Sequence, residues 1–203
     1  MNKTKPKIRI EVIVEGMTEE NYLREFIEDS NIDIFNDKIL NFNFHNVKGG
    51  SYYSITKKIR SFRSLDSTIF IVTDIDRLAN DENELNNFKT MLKELNKFKY
   101  SFAFITYPNF EGFLSSHFNP YENSILKKLR LKSTDELKSK KDIYSYIIKN
   151  NGNFNNILKR YKKENLCCSK VNNKTEFDKS KIRLEQSSFI YFISYCESLK
   201  NKK

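Results

Sequence analysis

An α/β fold is what this 203-residue sequence predicts: a mainly parallel four-stranded sheet flanked by helices, with a helical extension at the C-terminal end. Three observations carry that expectation. Up to about residue 118, strand-like segments take turns with segments whose apolar residues recur at helical spacing. One of the strand segments, Thr68-Ile69-Phe70-Ile71-Val72-Thr73, is a continuous β-branched and aromatic run, which suits a strand covered on both faces. Beyond Pro120 the strand patterns give way to lysine-rich amphipathic ones. The division this suggests is an α/β core over residues 1–119 and a Lys-rich helical extension, residues 120–203, packed on it.

In chain order, Ile8, Ile10, Val12 and Val14 share one face of the first strand, with Arg9 and Glu11 on the other. The strand ends at Glu15-Gly16, where Gly16 allows a tight exit. Thr18 is the expected N-cap of a helix striped by Tyr22, Leu23, Phe26 and Ile27, with Glu19 and Glu20 placed to suit its dipole. Neither cap nor dipole accounts for Glu15. A second strand spans residues 39–47, and its polar face, Asn43 and His45, predicts an edge position. Lys48-Gly49-Gly50-Ser51 then turns into a helix striped by Tyr52, Ile55, Ile59 and Phe62. A Gly-Gly turn beside a Lys can hold a phosphate at a helix start. Without a Walker pattern, an ordinary turn is the simpler account.

The third strand emerges into Asp74-Ile75-Asp76, and Leu85, Phe88, Leu92 and Leu95 mark the helix after it. The fourth spans residues 100–106 and is stopped by Pro108; Glu111 opens a short apolar helical turn reaching Phe118. Right-handed crossovers between these strands make the sheet largely parallel. Helices are read at residues 121–131, 141–149 and 154–161, and a last one is striped by Phe189, Phe192, Ile193, Cys196 and Leu199. Residues 168–181 show no period and read as a loop.

The formal net charge of +10 points to a polyanionic partner, DNA or RNA first, although Lys and Asn are frequent throughout. The longest apolar runs have strand length, so a cytoplasmic protein without a membrane partner is expected. Cys167, Cys168 and Cys196 lack metal-ligand spacing and read as buried thiols of a reducing compartment. His45 has no partner at ligand spacing and reads as a polar strand residue.

In a parallel sheet, Glu15, Asp74, Asp76 and Glu111 all fall on the rim where strand carboxyl ends emerge, where α/β proteins bind ligands. For Asp74 or Asp76 alone, a helix N-cap is an adequate explanation. Together the acids repel, and oxygen-only donors suit a hard divalent ion, Mg²⁺ or Mn²⁺. Such ions serve phosphodiester chemistry.

Val14-Glu15-Gly16-x-Thr18-Glu19 at the end of one strand, followed by Asp74-x-Asp76 at the end of a later one, resembles the Toprim domain of primases, topoisomerases, recombination factors and OLD-type nucleases. Within that Toprim/Rossmann-like class, Glu15-Gly16-Met17-Thr18-Glu19-x-x-Tyr22 and Asn109-Phe110-Glu111-x-Phe113-Leu114-x-x-x-Phe118 are most similar to the RloB-like branch, which is linked to prokaryotic restriction and phage-defence loci. Tyr107-Pro108-Asn109-Phe110-Glu111 departs from that branch's Asn-Pro-Cys-Phe-Glu by lacking the Cys. Lys140-Lys141-Asp142-Ile143-Tyr144 and Gln186-Ser187-Ser188 sit where the branch carries a basic-Tyr and a polar-Ser segment.

The resemblance implies a Mg²⁺-dependent nuclease. Glu15 would be the acid–base group and a metal contact, Asp74 and Asp76 the Mg²⁺ ligands, and Glu19 the ligand of a second ion. Glu111 would be a further catalytic acid, with a helix-opening acid as its plain alternative. Lys48, Lys140 and Lys141 are candidates to bind the nucleic acid and support the leaving oxygen. A partner ATPase is also implied. A haloacid-dehalogenase-type phosphatase would use Asp74 differently, but Arg77 and Leu78 follow where that motif expects Thr or Val. A glycosyltransferase Asp-x-Asp would leave Glu15 unexplained. The alternative from another class is a non-catalytic nucleic-acid-binding or regulatory subunit of an ATPase-containing complex.

Overall fold

The computed structural model describes residues 7–29, 31–62, 67–171 and 174–201. Four parallel strands, β1 (Ile8–Val14), β2 (Leu40–Asn46), β3 (Thr68–Asp74) and β4 (Phe102–Tyr107), form the body of the sheet. Two short strands follow as a separate antiparallel hairpin, β5 (Cys168–Val171) and β6 (Lys174–Phe177). A two-residue strand, β7 (Gln186–Ser187), returns to the main sheet antiparallel to β4, giving the order β2-β1-β3-β4-β7. As its half-polar pattern requires, β2 lies at an edge.

The helices between and after the strands are α1 (Met17–Glu28), α2 (Asp33–Asn36), α3 (Tyr52–Arg60), α4 (Glu82–Leu95) and α5 (Phe110–Ser115). Then come α6 (Ile125–Leu129), α7 (Thr134–Ser139), α8 (Ile143–Lys149), α9 (Phe154–Arg160) and α10 (Phe192–Lys200). Among the described residues, no helix is long and apolar enough to cross a membrane.

The continuous apolar run of β3 is buried on both faces because it feeds two cores. Phe70 and Val72 join Ile10, Val12 and Phe104 under α1, α5 and α10, whereas Ile69 and Ile71 join Ile13 and Ile105 under α3 and α4. The first core is aromatic and draws on the C-terminal segment. Phe189 and Phe192 stack at 4.8 Å, and Phe192 meets Phe104 at 5.0 Å. Burying such rings contributes on the order of 2–3 kcal/mol each.

Four local expectations change. The sheet has five strands rather than four, because Gln186 and Ser187 pair with Tyr107 and Thr106. The Gln186 amide also accepts from the Cys167 N–H at 2.7 Å and donates to the Lys181 carbonyl at 2.7 Å. Residues 168–171 and 174–177 form a hairpin instead of a loop. Its outer strand is pinned by Asn96, which donates to the Thr175 carbonyl at 2.9 Å and accepts from its N–H at 2.7 Å. Thr18 is not a cap: α1 starts two residues earlier than that cap would place it, with Gly16 as N-cap, and Thr18 is buried. The helix expected over 121–131 shortens to α6, and α7 adds a helix the pattern did not show. All three cysteines are buried free thiols.

Candidate functional site

Parallel strands deliver their carboxyl ends to one rim, and three deliver acids there. Glu15 follows β1, Asp74 closes β3, and Glu111 lies in the first turn of α5, which Asn109 caps by accepting from the Gly112 N–H at 2.9 Å. The register sets Val14 beside Val72 and Asp74 beside Thr106. Neighbouring strands therefore hold these acids. The Thr73 hydroxyl donates to Glu15 Oε2 at 2.8 Å, and the Thr106 hydroxyl donates to Asp74 Oδ1. Tyr52, from α3, donates to the Asp74 carbonyl at 2.6 Å.

Glu19 reaches the same place from α1. A Cβ on Gly16 would stand 3.0 Å from Glu19 Oε2, so the missing side chain leaves room for the carboxylate. The result is a cleft of about 400 Å³ whose lining includes Glu15, Glu19, Asp74, Glu111, Lys48 and Lys138.

The electrostatics of this cleft are unbalanced. Burial pushes Asp74 well above the usual carboxylate range, and the charges of Glu19 and Glu15 push the same way. Burial likewise lifts Glu19 to about 7, with Glu15 and Glu111 adding to it against the N–H groups of Glu19 and Gly16. Among the described residues, no Lys or Arg forms an ion pair with Asp74, Glu19 or Glu111. Glu15 differs: Arg77, in the 3-10 turn Asp76–Ala79, donates from Nη2 to Glu15 Oε1 at 2.8 Å.

Of the residues singled out from the sequence, the cleft thus brings together Glu15, Glu19, Asp74, Glu111 and Lys48. Asp76 does not line it; its side chain is 51% exposed, with Arg77 Nε 4.0 Å away. Lys140 and Lys141 do not line it either. Lys140 Nζ sits 3.8 Å over the Tyr146 ring and 3.7 Å from Asp142, and Lys141 is exposed. Lys138, at the end of α7, takes the place expected of them.

Sequence reasoning passed over Lys138 and the parts played by Arg77, Thr73 and Thr106. For Arg77 a signal existed, since a cation directly follows Asp74-x-Asp76; for Lys138 none did. Among the described residues, no three His, Cys, Asp or Glu side chains stand at the spacing of a ready-made ion site. His45 pairs with Glu11 on the edge strand, at 2.5 Å, as a polar strand residue.

Fold and site together define an α/β protein with an acidic cleft at the carboxyl rim of a parallel sheet. The chain belongs to the RloB-like family, whose model, described as RloB-like protein, matches residues 10–195. No curated protein and no solved structure matches it.

Proposed function

We propose that the chain is a Toprim-type nuclease, related to OLD-type enzymes, that uses Mg²⁺ or Mn²⁺ to hydrolyse phosphodiester bonds of DNA or RNA. The observation that carries this reading is an acidic pair, Asp74 and Glu19, opening with Glu15 and Glu111 onto one cleft, where among the described residues no Lys or Arg forms an ion pair with Asp74, Glu19 or Glu111. The donors fit a hard cation: all are carboxylate oxygens, and their mutual repulsion is relieved by positive charge. Asp74, Glu19 and Glu15 would hold it, with Asp76 added by the Asp-x-Asp resemblance. A bound divalent ion supplies polarisation of the phosphate and stabilises charge on the reacting oxygens.

The protein's own groups do the rest. Glu15, oriented by the Thr73 hydroxyl, exchanges a proton with the attacking water or the leaving oxygen. Lys48 and Lys138 bind phosphate at the cleft wall, and the Lys-rich surface beyond Pro120 attracts the polyanion. Membership of the RloB-like family supports a role in prokaryotic phage defence or restriction beside a partner ATPase.

One observation favours the second reading, a non-catalytic nucleic-acid-binding subunit: the Arg77 ion pair already engages Glu15. A cleavage assay with Mg²⁺ or Mn²⁺, on DNA and RNA, with and without an ATPase partner, separates the two. Cleavage lost in Glu15→Gln supports the nuclease. Cleavage unchanged in that variant overturns the assignment of Glu15, and cleavage absent under every condition supports the binding subunit.

A further inference from the structure

Glu84, in the first turn of α4, has a carboxylate oxygen without a use. Its Oε1 accepts from Asn87 Nδ2 at 3.3 Å, while Oε2 is shielded from water and accepts no hydrogen bond among the described residues. Capping does not claim it, because Asp81 caps α4 by accepting from the N–H groups of Asn83 and Glu84. The cation facing that oxygen is Arg77, whose Nη1 stands 4.0 Å away, within ion-pair range and beyond hydrogen-bond length. The same guanidinium holds Glu15 from Nη2 at 2.8 Å and lies over the Tyr52 ring, 5.4 Å from its centre.

Arg77 therefore sits between one satisfied carboxylate and one unsatisfied carboxylate. A shift of about 1 Å toward α4 would give Glu84 Oε2 a normal hydrogen bond. A buried acceptor left without a donor costs free energy, so the second position has its own driving force. The flat fork of a guanidinium can serve two acids in turn, and an aromatic face beneath it leaves that movement open.

We propose that Arg77 is a positioning residue with two seats, holding Glu15 when the cleft lacks a cation and passing to Glu84 when Glu15 turns to one. This rests on the cation-binding reading of the cleft and adds its control: Arg77 and the cation compete for Glu15, and Glu84 eases that competition.

The test is a Mg²⁺ titration, repeated with Mn²⁺, of the melting temperature of the full chain. It compares the wild type, Arg77→Gln, Glu84→Gln and the double variant. Arg77→Gln is expected to reach half of its stabilisation at roughly fivefold lower Mg²⁺, the scale of a partly exposed ion pair. Glu84→Gln is expected to need several-fold more, and the double variant to match Arg77→Gln, since Glu84 acts only through Arg77. Charges acting merely at a distance would give a double variant with both effects added, which would overturn the two-seat proposal. An Arg77→Gln titration equal to wild type would overturn it as well. Should Arg77→Gln not fold, Arg77→Met replaces it, because it keeps much of the side chain's length without the competing charge; the same leftward shift is expected, and none overturns the proposal. No stabilisation of the wild type by either ion would remove the cation site itself, a different result from a wild type that responds while the variants do not separate.

Discussion

Two places in this molecule bury carboxylates, and they are treated in opposite ways. Glu11, in the middle of β1, has no exposed surface, yet Arg9 and His45 donate to it and Asn43 adds a bond at 3.4 Å. Burial alone would raise its pKa, but the hydrogen bonds and charges of His45 and Arg9 outweigh it and hold the carboxyl below its usual range. At the end of the same sheet, Glu19 is buried and Asp74 half-buried; they receive hydroxyl and amide donors but no cation, and both are pushed up. The chain thus solves the buried-acid problem internally at Glu11 and leaves it open at the rim. A buried charge without a partner is costly, so the rim is the place where charge from outside has the most to contribute.

The largest expected effect tests whether the open acids do chemistry and the closed one does not. Glu15→Gln keeps the hydrogen-bonding shape but cannot exchange a proton; kcat for cleavage should fall by about 10² or more with little change in nucleic-acid affinity. Glu11→Gln should leave kcat near wild type. Single-turnover cleavage alongside equilibrium binding distinguishes the two.

Stability should then reverse the ranking. Glu11→Gln weakens the bonds from Arg9 and His45 and is expected to lower metal-free stability by about 1–3 kcal/mol. Asp74→Asn removes an uncompensated charge and should melt no lower than wild type without metal. With Mg²⁺ at a hundredfold its Kd, wild type should gain about 2.7 kcal/mol and Asp74→Asn nothing. Thermal melts with and without the ion read both.

A third measurement uses pH. The folded value of Glu19, about 7, lies above its ordinary 4.5, so the folded state binds the extra proton between those values. The resulting stability is fully present below about 4.5 and is lost as pH rises through 7. Metal-free protein should therefore lose stability from pH 5 to 7, the Mg²⁺ increment should grow over the same range, and Glu19→Gln should flatten both. Melting curves that do not respond to pH would place Glu19 in the same class as Glu11. The smallest effect expected is at the wall. Lys48→Ala and Lys138→Ala should each weaken nucleic-acid binding a few-fold and lower the salt slope by about one.

What the sequence makes legible is set by how local the cause is. Strands β1, β3 and β4, and the sharing of one rim by Glu15, Asp74 and Glu111, follow from period and crossover rules that each segment carries in itself. Asp76 shows the limit of that logic. It is one residue beyond a lining acid, yet the turn Asp76–Ala79 leaves its side chain half in water. The pairing of β5 with β6 depends on the Asn96 amide, nearly eighty positions before Thr175 in the chain, and β7 depends on the free edge of β4. No pattern within those segments announces either. Lys138 lies in a short helix placed by packing on α1, so its arrival at the cleft was a tertiary fact, whereas neighbouring Lys140 and Lys141 had only their charge to recommend them.

The pairing of β7 with β4 has a consequence for when the cleft exists. Ser187 lies opposite Thr106, the residue whose hydroxyl binds Asp74, and the Ser188 hydroxyl accepts from the Ile105 N–H at 2.8 Å. The wall behind Asp74 is therefore finished by residues that leave the ribosome long after the acids do. A nascent chain that has emerged as far as α5 already displays Glu15, Glu19, Asp74 and Glu111 but lacks the strand that backs them. Translation order itself withholds the strand that backs the cleft until β7 has emerged.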